Sequence, residues 1–164
     1  MGMGRLLRES RGPMIPAPEL DRLVDLLLRG LETDDLVAER LIRMGVYGER
    51  SIQRAAQRLG YRSVNAMGGS MRARSLPPAG HLLMWGRLLS AMYAWRPACR
   101  GSGRSLGEVA RVGGWAGNAQ LSNSLRRYSG TYPLAWYRGN GTLSDLCLRF
   151  LQTETADADA PTQL

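Results

Sequence analysis

The chain is poor in the residues that carry most enzyme and metal chemistry. Its 164 residues include no lysine, a single phenylalanine, two cysteines and a single histidine, His81. Cys99 and Cys147 do not have a Cys-x-x-Cys spacing, so a Cys/His zinc site is not expected. Aromatic residues make up only 7% of the chain, which disfavours a large β-sandwich or barrel.

Groups suited to catalysis are equally scarce. A lone histidine leaves few side chains that titrate near neutral pH, and neither cysteine has an activating base beside it in the sequence. The Gly101–Gly103 segment does not follow a strand pattern, as a phosphate-binding loop would. We therefore predict no enzymatic activity, no catalytic residue and no cofactor. A cysteine nucleophile acting on nucleic acid, and a disulfide between Cys99 and Cys147, stay open as alternatives to reduced, inert thiols.

Long apolar stretches are also missing. No run approaches the ~20 apolar residues that a membrane-spanning helix needs. The early arginines Arg5, Arg8 and Arg11 are not followed by the apolar segment of a secretory signal. The sequence predicts a cytoplasmic protein with no membrane partner.

Acidic residues are nearly absent from the middle of the chain. Residues 40–138 hold sixteen arginines against Glu49 and Glu108, a net charge of +14. The flanking segments 1–39 and 139–164 each carry a net charge of −3. Such a basic segment repels itself unless an anion is near, and nucleic-acid phosphate is the common anionic partner. An arginine-rich codon bias explains arginine in place of lysine, but it does not explain the loss of acids.

Hydrophobic spacing predicts an all-α fold. Apolar residues recur at helical intervals in Leu20–Leu28 and Leu36–Met44, with Thr33 as the expected N-cap of the second helix and Gly45 and Gly48 marking its end. The segment Gly80–Arg96 has an apolar stripe typical of a core helix and would act as a rigid connector about 25 Å long. The acidic, Ala/Thr-rich residues after Gln152 predict a disordered tail.

The middle of the chain contains an internal repeat with an offset of 54 residues, which pairs Ser51 with Ser105. Each copy has a capping serine, a mid-helix alanine, a glycine suited to positive φ, an aromatic residue and two large apolar residues four apart. These are Ser51, Ala56, Gly60, Tyr61, Met67 and Met71 in the first copy, and Ser105, Ala110, Gly114, Trp115, Leu121 and Leu125 in the second. The pattern predicts a helix-turn-helix unit, present twice.

The second copy and the residues after it, Ser105–Arg138, resemble the C-terminal signature of AraC/XylS-type transcriptional regulators. The shared elements are Ala110-Arg111, Gly114-Trp115, Leu121 and Leu125, Arg126-Arg127, Gly130, Pro133 and Tyr137-Arg138. Trp85–Trp95 resembles the linker helix of that family, so the resemblance covers residues 47–138. It departs from the family pattern at Gly68 and Gly69, which lie where polar or basic side chains usually face the bases.

The resemblance implies that the second helix of each unit enters a major groove of double-stranded DNA. It implies base contacts from Asn118, Gln120, Ser122 and Asn123 in the second unit and from Arg62, Ser63 and Asn65 in the first. It implies phosphate contacts from Arg72, Arg74, Arg111, Arg126, Arg127 and Arg138. The implied function is a sequence-specific transcriptional regulator in the nucleoid, acting as a monomer or weak dimer.

The expected organisation has seven segments. They are a flexible N-terminus (1–18), an N-terminal helical extension (19–46), a first helix-turn-helix unit (47–79), a linker helix (80–96), a second unit (97–138), a C-terminal helix (139–152) and a disordered tail (153–164). RNA polymerase and a separate sensor subunit are candidate protein partners. Two further alternatives stay open: an accessory module that docks a partner through its N-terminal helices, and an RNA-binding protein.

Overall fold

The computed structural model describes residues 14–96, 105–139 and 141–159. Those ranges contain nine α-helices and no strand, which confirms the all-α prediction. The helices are α1 (Ala17–Gly30), α2 (Leu36–Val46), α3 (Ile52–Arg58), α4 (Val64–Ala73), α5 (Ala79–Trp95), α6 (Leu106–Val112), α7 (Asn118–Ser129), α8 (Pro133–Arg138) and α9 (Leu143–Asp159).

Helix α5, the predicted linker helix, forms the centre of the fold. Twelve of its 17 residues are buried, because it packs against α2, α3, α4, α6, α7 and α9. Trp85 stacks on Phe150 of α9, with ring centroids 5.7 Å apart. A helix that is apolar on nearly all sides is a core helix, so α5 holds both copies of the repeat and both flanking helical segments in one structure.

Helices α2 and α5 cross at glycines. Gly45 was expected to end α2, but it lies inside that helix and is buried. A Cβ atom on Gly45 would collide with the carbonyl oxygen of Leu83, and one on Gly86 would collide with the carbonyl oxygen of Ile42. Gly45 therefore permits close backbone approach inside the helix instead of ending it, and the helix ends one residue later at Val46. Gly48, the other glycine predicted to mark this end, follows the helix with a φ of +95°.

The N-cap of α2 also differs from the prediction. Asp35, not Thr33, is the capping residue: its Oδ1 accepts the backbone N–H groups of Val37 (2.9 Å) and Ala38 (3.3 Å). Thr33 Oγ1 instead accepts the N–H of Asp35 at 3.1 Å. Asp35 directly precedes the first helical residue, Leu36, so its side chain reaches the free N–H groups of the first turn, whereas Thr33 is two residues too far away.

Both ends of the described chain are more ordered than the composition predicts. Ile15 is buried and α1 begins at Ala17, so residues 15–18 belong to the folded structure rather than to a flexible N-terminus. Helix α9 continues to Asp159, and the prediction of disorder from Thr153 is wrong as far as that residue. Glu154 explains the extension, because its Oε2 lies 2.8 Å from Nδ1 of His81. Residues 1–13 and 160–164 of the two predicted mobile segments lie outside the described residues.

Cys147 is a free, fully buried thiol on α9. Burial raises the pKa of Cys147 to about 12, which keeps the thiol protonated and unreactive at neutral pH. Cys99, the other half of the disulfide left open above, lies outside the described residues.

Candidate nucleic-acid interface

The two copies of the repeat form the same local geometry. In the first copy, the N–H of Arg54 donates to Ser51 Oγ, and in the second the N–H of Glu108 donates to Ser105 Oγ, both at 3.2 Å. Gly60 and Gly114 have φ values of +85° and +94°. The expected apolar pairs Met67/Met71 and Leu121/Leu125 are fully buried. The predicted caps, turns and buried faces are therefore confirmed in both copies.

The aromatic residues at the two turns make equivalent hydrogen bonds. Trp115 Nε1 donates to Ser124 Oγ at 3.1 Å, and the hydroxyl of Tyr61 lies 3.4 Å from Ser70 Oγ. Ser70 and Ser124 are themselves a matched pair of the repeat. Each aromatic residue therefore links its turn to the second helix of its own copy, which fixes the angle between the two helices.

Glu49 completes the cap of the first copy. Its Oε1 accepts the N–H of the N-cap residue Ser51 at 2.9 Å. In a capping box, that N–H is bonded instead by a glutamate three residues after the cap. Burial alone would raise the pKa of Glu49, but the hydrogen bond from Ser51 and the adjacent Arg54 and Arg58 lower it overall. One of the two acids in the basic segment therefore has a structural role.

The exposed face of α7 carries most of the implied base-contacting residues. Asn118, Gln120 and Asn123 are exposed and Ser122 is half-buried. Gln120 has a second task, because its Oε1 accepts the N–H of Ala116 at 3.0 Å, where the N-cap residue Gly117 has no side chain. Asn123 is free of such a bond and lies one turn before Arg126 and Arg127 on the same face.

In the first copy, only two of the three implied base-contacting residues have side chains free of local bonds. Arg62 and Asn65 are exposed at the start of α4. Ser63 is also exposed, but it is the N-cap of α4, and its Oγ accepts the N–H of Ala66 at 3.0 Å. Its hydroxyl is therefore used to start the helix.

The solvent face of α4 is nearly flat at Gly68 and Gly69. A Cβ atom on either residue would meet only the Arg72 guanidinium, at 3.6 and 3.9 Å respectively. In the repeat alignment, Gly69 lies at the position of Asn123 and Arg72 at the position of Arg126. The first copy therefore keeps the arginine and lacks the amide.

We expect Gly69→Ala to raise the free energy of unfolding by about 0.5–1 kcal/mol. Alanine loses less backbone entropy in a helix, and the added methyl group has room here. Urea denaturation followed by circular dichroism measures the change. A loss of stability would show that this face is packed rather than open.

Most of the arginines implied to contact phosphate have an exposed guanidinium with no carboxylate partner in the described ranges. Arg72, Arg111, Arg126, Arg127 and Arg138 are exposed, and no carboxylate in the described ranges pairs with them. Arg126 and Arg127 lie over the rings of Tyr132 and Tyr128, at 5.5 and 5.4 Å from the ring centroids.

Arg74 differs from the other arginines. It forms an ion pair with Asp35, and it donates to the Tyr61 hydroxyl at 3.1 Å and to the Ser70 carbonyl oxygen at 3.2 Å. The ion pair joins the C-terminal end of α4 to the start of α2, and the other two bonds lie within the first copy of the repeat. The phosphate contact expected of Arg74 stays a prediction, and it would require the guanidinium to exchange its carboxylate partner for a phosphate group.

Sequence reasoning missed the contacts that two arginines make with the second copy. Arg50 Nη2 donates to the carbonyl oxygen of Val112 at 3.3 Å, and Arg87 Nη2 donates to that of Gly113 at 3.1 Å. Both arginines lie at the C-terminal end of α6, where the helix dipole favours positive charge. Arg87 also covers the ring of Trp115, 4.5 Å from the ring centroid. No local pattern signals contacts across 62 and 26 residues.

The described part of the chain contains no cluster of three or more His, Cys, Asp or Glu residues suited to a metal ion. None of the helices it contains has the length and hydropathy to span a membrane. Comparison with known protein families, with curated proteins and with solved structures finds no match for this chain.

Proposed function

We propose that the chain is a sequence-specific, double-stranded-DNA-binding transcriptional regulator of the AraC/XylS type. One observation carries the proposal: two copies of one capped helix–turn–helix geometry each leave the outer face of the second helix exposed, in the most basic part of the chain. Helices α4 and α7 then enter successive major grooves of one DNA molecule.

The side chains of the two helices suit them to different DNA contacts. Helix α7 carries the amides Asn118 and Asn123, and an amide bonds well to the N6/N7 edge of adenine. Helix α4 presents Arg62 and Asn65 followed by a flat glycine surface and Arg72, which suits phosphate contact more than base recognition. Specificity is therefore concentrated in the half-site bound by α7.

The chemistry of this surface is binding rather than catalysis, and the proposed location is the cytoplasm, at the nucleoid. The alternative of a module that docks a partner through α1 and α2 has less support. Leu20, Leu23, Val24 and Leu27, which give α1 its apolar face, are all buried within the fold. RNA polymerase or a sensor subunit would then contact other surfaces of the protein.

Selection of duplexes from a random pool with the full chain tests this proposal. We expect a motif to emerge, and we expect Asn123→Ala to lower the preference for selected over scrambled duplex about tenfold, since one good amide–adenine pair contributes about 1–3 kcal/mol. Affinity for scrambled duplex should change little.

Arg126→Gln is expected to lower the affinity for selected and for scrambled duplex by the same factor, because a phosphate contact carries no sequence information. Arg22→Gln removes the same charge from the exposed surface of α1 and is the matched control. Identical effects of the Asn123 and Arg126 substitutions would contradict the assigned roles, and a pool without enrichment would contradict the proposed function.

A further inference from the structure

A cavity of about 380 Å³ lies where the end of α2, helix α5 and helix α6 meet. Its volume is in the range of small-molecule sites, roughly 300–1,000 Å³. Val46, Ala91, Ala94 and Val109 form an apolar wall. Arginines also line it, and they are Arg50, Arg87 and Arg111. The cavity lining therefore combines apolar and positively charged side chains.

No carboxylate of the described residues balances the positive charge of this cavity. None of the three arginines forms an ion pair with a carboxylate of the described residues. Arg87 Nε is buried and has no hydrogen-bond partner in that part of the chain. Burial, and then the charge of Arg50, lower the pKa of Arg87. Such a shift means that the charged form is disfavoured where it stands.

The helix end contributes only part of the missing negative charge. The carbonyl oxygens of Val112 and Gly113 accept hydrogen bonds from Arg50 and Arg87, but a helix C-terminus supplies about half an elementary charge. Arg50 is exposed and water screens its charge, but Arg87 is half-buried and its Nε has no acceptor among the described residues. A bound anion would relieve the repulsion between them and supply the missing acceptors.

We propose that this cavity binds a small organic anion, a carboxylate on an unbranched aliphatic chain. The carboxylate would lie against the guanidinium groups of Arg50, Arg87 and Arg111, and the chain would lie along Val46, Ala91 and Ala94. An apolar wall distinguishes this ligand from free phosphate, which would leave the wall in contact with water. The site shares Arg111 with the implied phosphate contacts, but no residue of α4 or α7 lines it, and it does not depend on the proposed function.

Calorimetric titration of the full chain with butanoate, hexanoate and octanoate tests the proposal. Affinity should rise about fourfold for each added methylene group, because each leaves water for the apolar wall. Octanol at equal concentration and inorganic phosphate should bind at least tenfold more weakly than octanoate. Affinities independent of chain length, or equal affinities for phosphate and octanoate, would overturn the proposal.

Two variants locate the binding. The Arg111 guanidinium is exposed and makes no hydrogen bond or ion pair with another helix of the described residues. Arg111→Gln therefore removes its charge and should weaken octanoate binding about tenfold. Ala91→Leu fills the cavity and should weaken it at least as much, with the helical circular-dichroism spectrum unchanged. Arg22→Gln, on the far helix α1, should leave the affinity unaltered. Equal octanoate affinities in all three variants would place any binding elsewhere and overturn the assignment, whether or not the chain binds DNA.

Discussion

Gly86→Ala is expected to lower the free energy of unfolding by about 3 kcal/mol or more. The added methyl group would be directed at backbone atoms of α2, the carbonyl oxygen of Ile42 and the N–H of Val46. Backbone atoms of a packed helix cannot rotate away as a side chain does, so the two helices must separate. Overpacking usually costs about 1–3 kcal/mol, and this position belongs at the upper end because α2 makes its most extensive contact with α5.

The same helix offers a matched control. Gly80 lies in the first turn of α5, and no atom lies within 4 Å of a Cβ added there. Gly80→Ala should therefore raise the free energy of unfolding by about 0.5–1 kcal/mol, the helix-propensity term alone. Thermal denaturation should show a midpoint lowered by roughly 10 °C for Gly86→Ala and slightly raised for Gly80→Ala. Similar midpoints for both variants would mean that α2 and α5 do not cross as described.

The α2–α5 crossing also shows where sequence reasoning stops. A glycine near the end of an apolar pattern predicts a helix end, because glycine is common just beyond helices. The same residue permits close packing of two helices, and only the position of the second helix distinguishes the two uses. For Gly45, the deciding partner is the backbone of Leu83, 38 residues further along the chain.

The two copies of the repeat were predictable because their determinants are local. A serine cap, a glycine at positive φ and apolar residues four apart each act within a few residues, and all of these expectations are confirmed. The site was only partly predictable, since exposure follows from the helical pattern while hydrogen-bond partners do not. Ser63, Arg74 and Gln120 were all correctly placed at the surface, yet each has a polar atom engaged within the fold.

The chain ends were mispredicted for a related reason. An acidic, alanine-rich segment lacks the apolar residues that fold a tail on its own. In α9, however, the helix is already anchored by Leu146 and Phe150, which are fully buried, so the following turns continue from an existing helix. The contact between Glu154 and His81 spans 73 residues and has no local signature.

DNA affinity is expected to fall about a thousandfold between 50 and 200 mM salt. Among the arginines implied to contact DNA, six are exposed and have no carboxylate partner in the described residues: Arg62, Arg72, Arg111, Arg126, Arg127 and Arg138. Each neutralised phosphate contributes about 0.9 to the slope of log affinity against log salt, so six contacts give a slope near −5. Fluorescence anisotropy with a duplex of about two helical turns measures the slope directly.

Single substitutions distinguish which arginines supply this slope. Arg126→Gln should reduce its magnitude by about 1, because one fewer counterion is released. Arg74→Gln should leave the slope nearly unchanged, because the Arg74 charge is already matched by Asp35, and Arg22→Gln should leave it unchanged as the control. A wild-type slope near zero would refute phosphate contact by this surface altogether. A change of about 1 for Arg74→Gln would show instead that the ion pair with Asp35 opens on DNA, and that α4 and the start of α2 separate there.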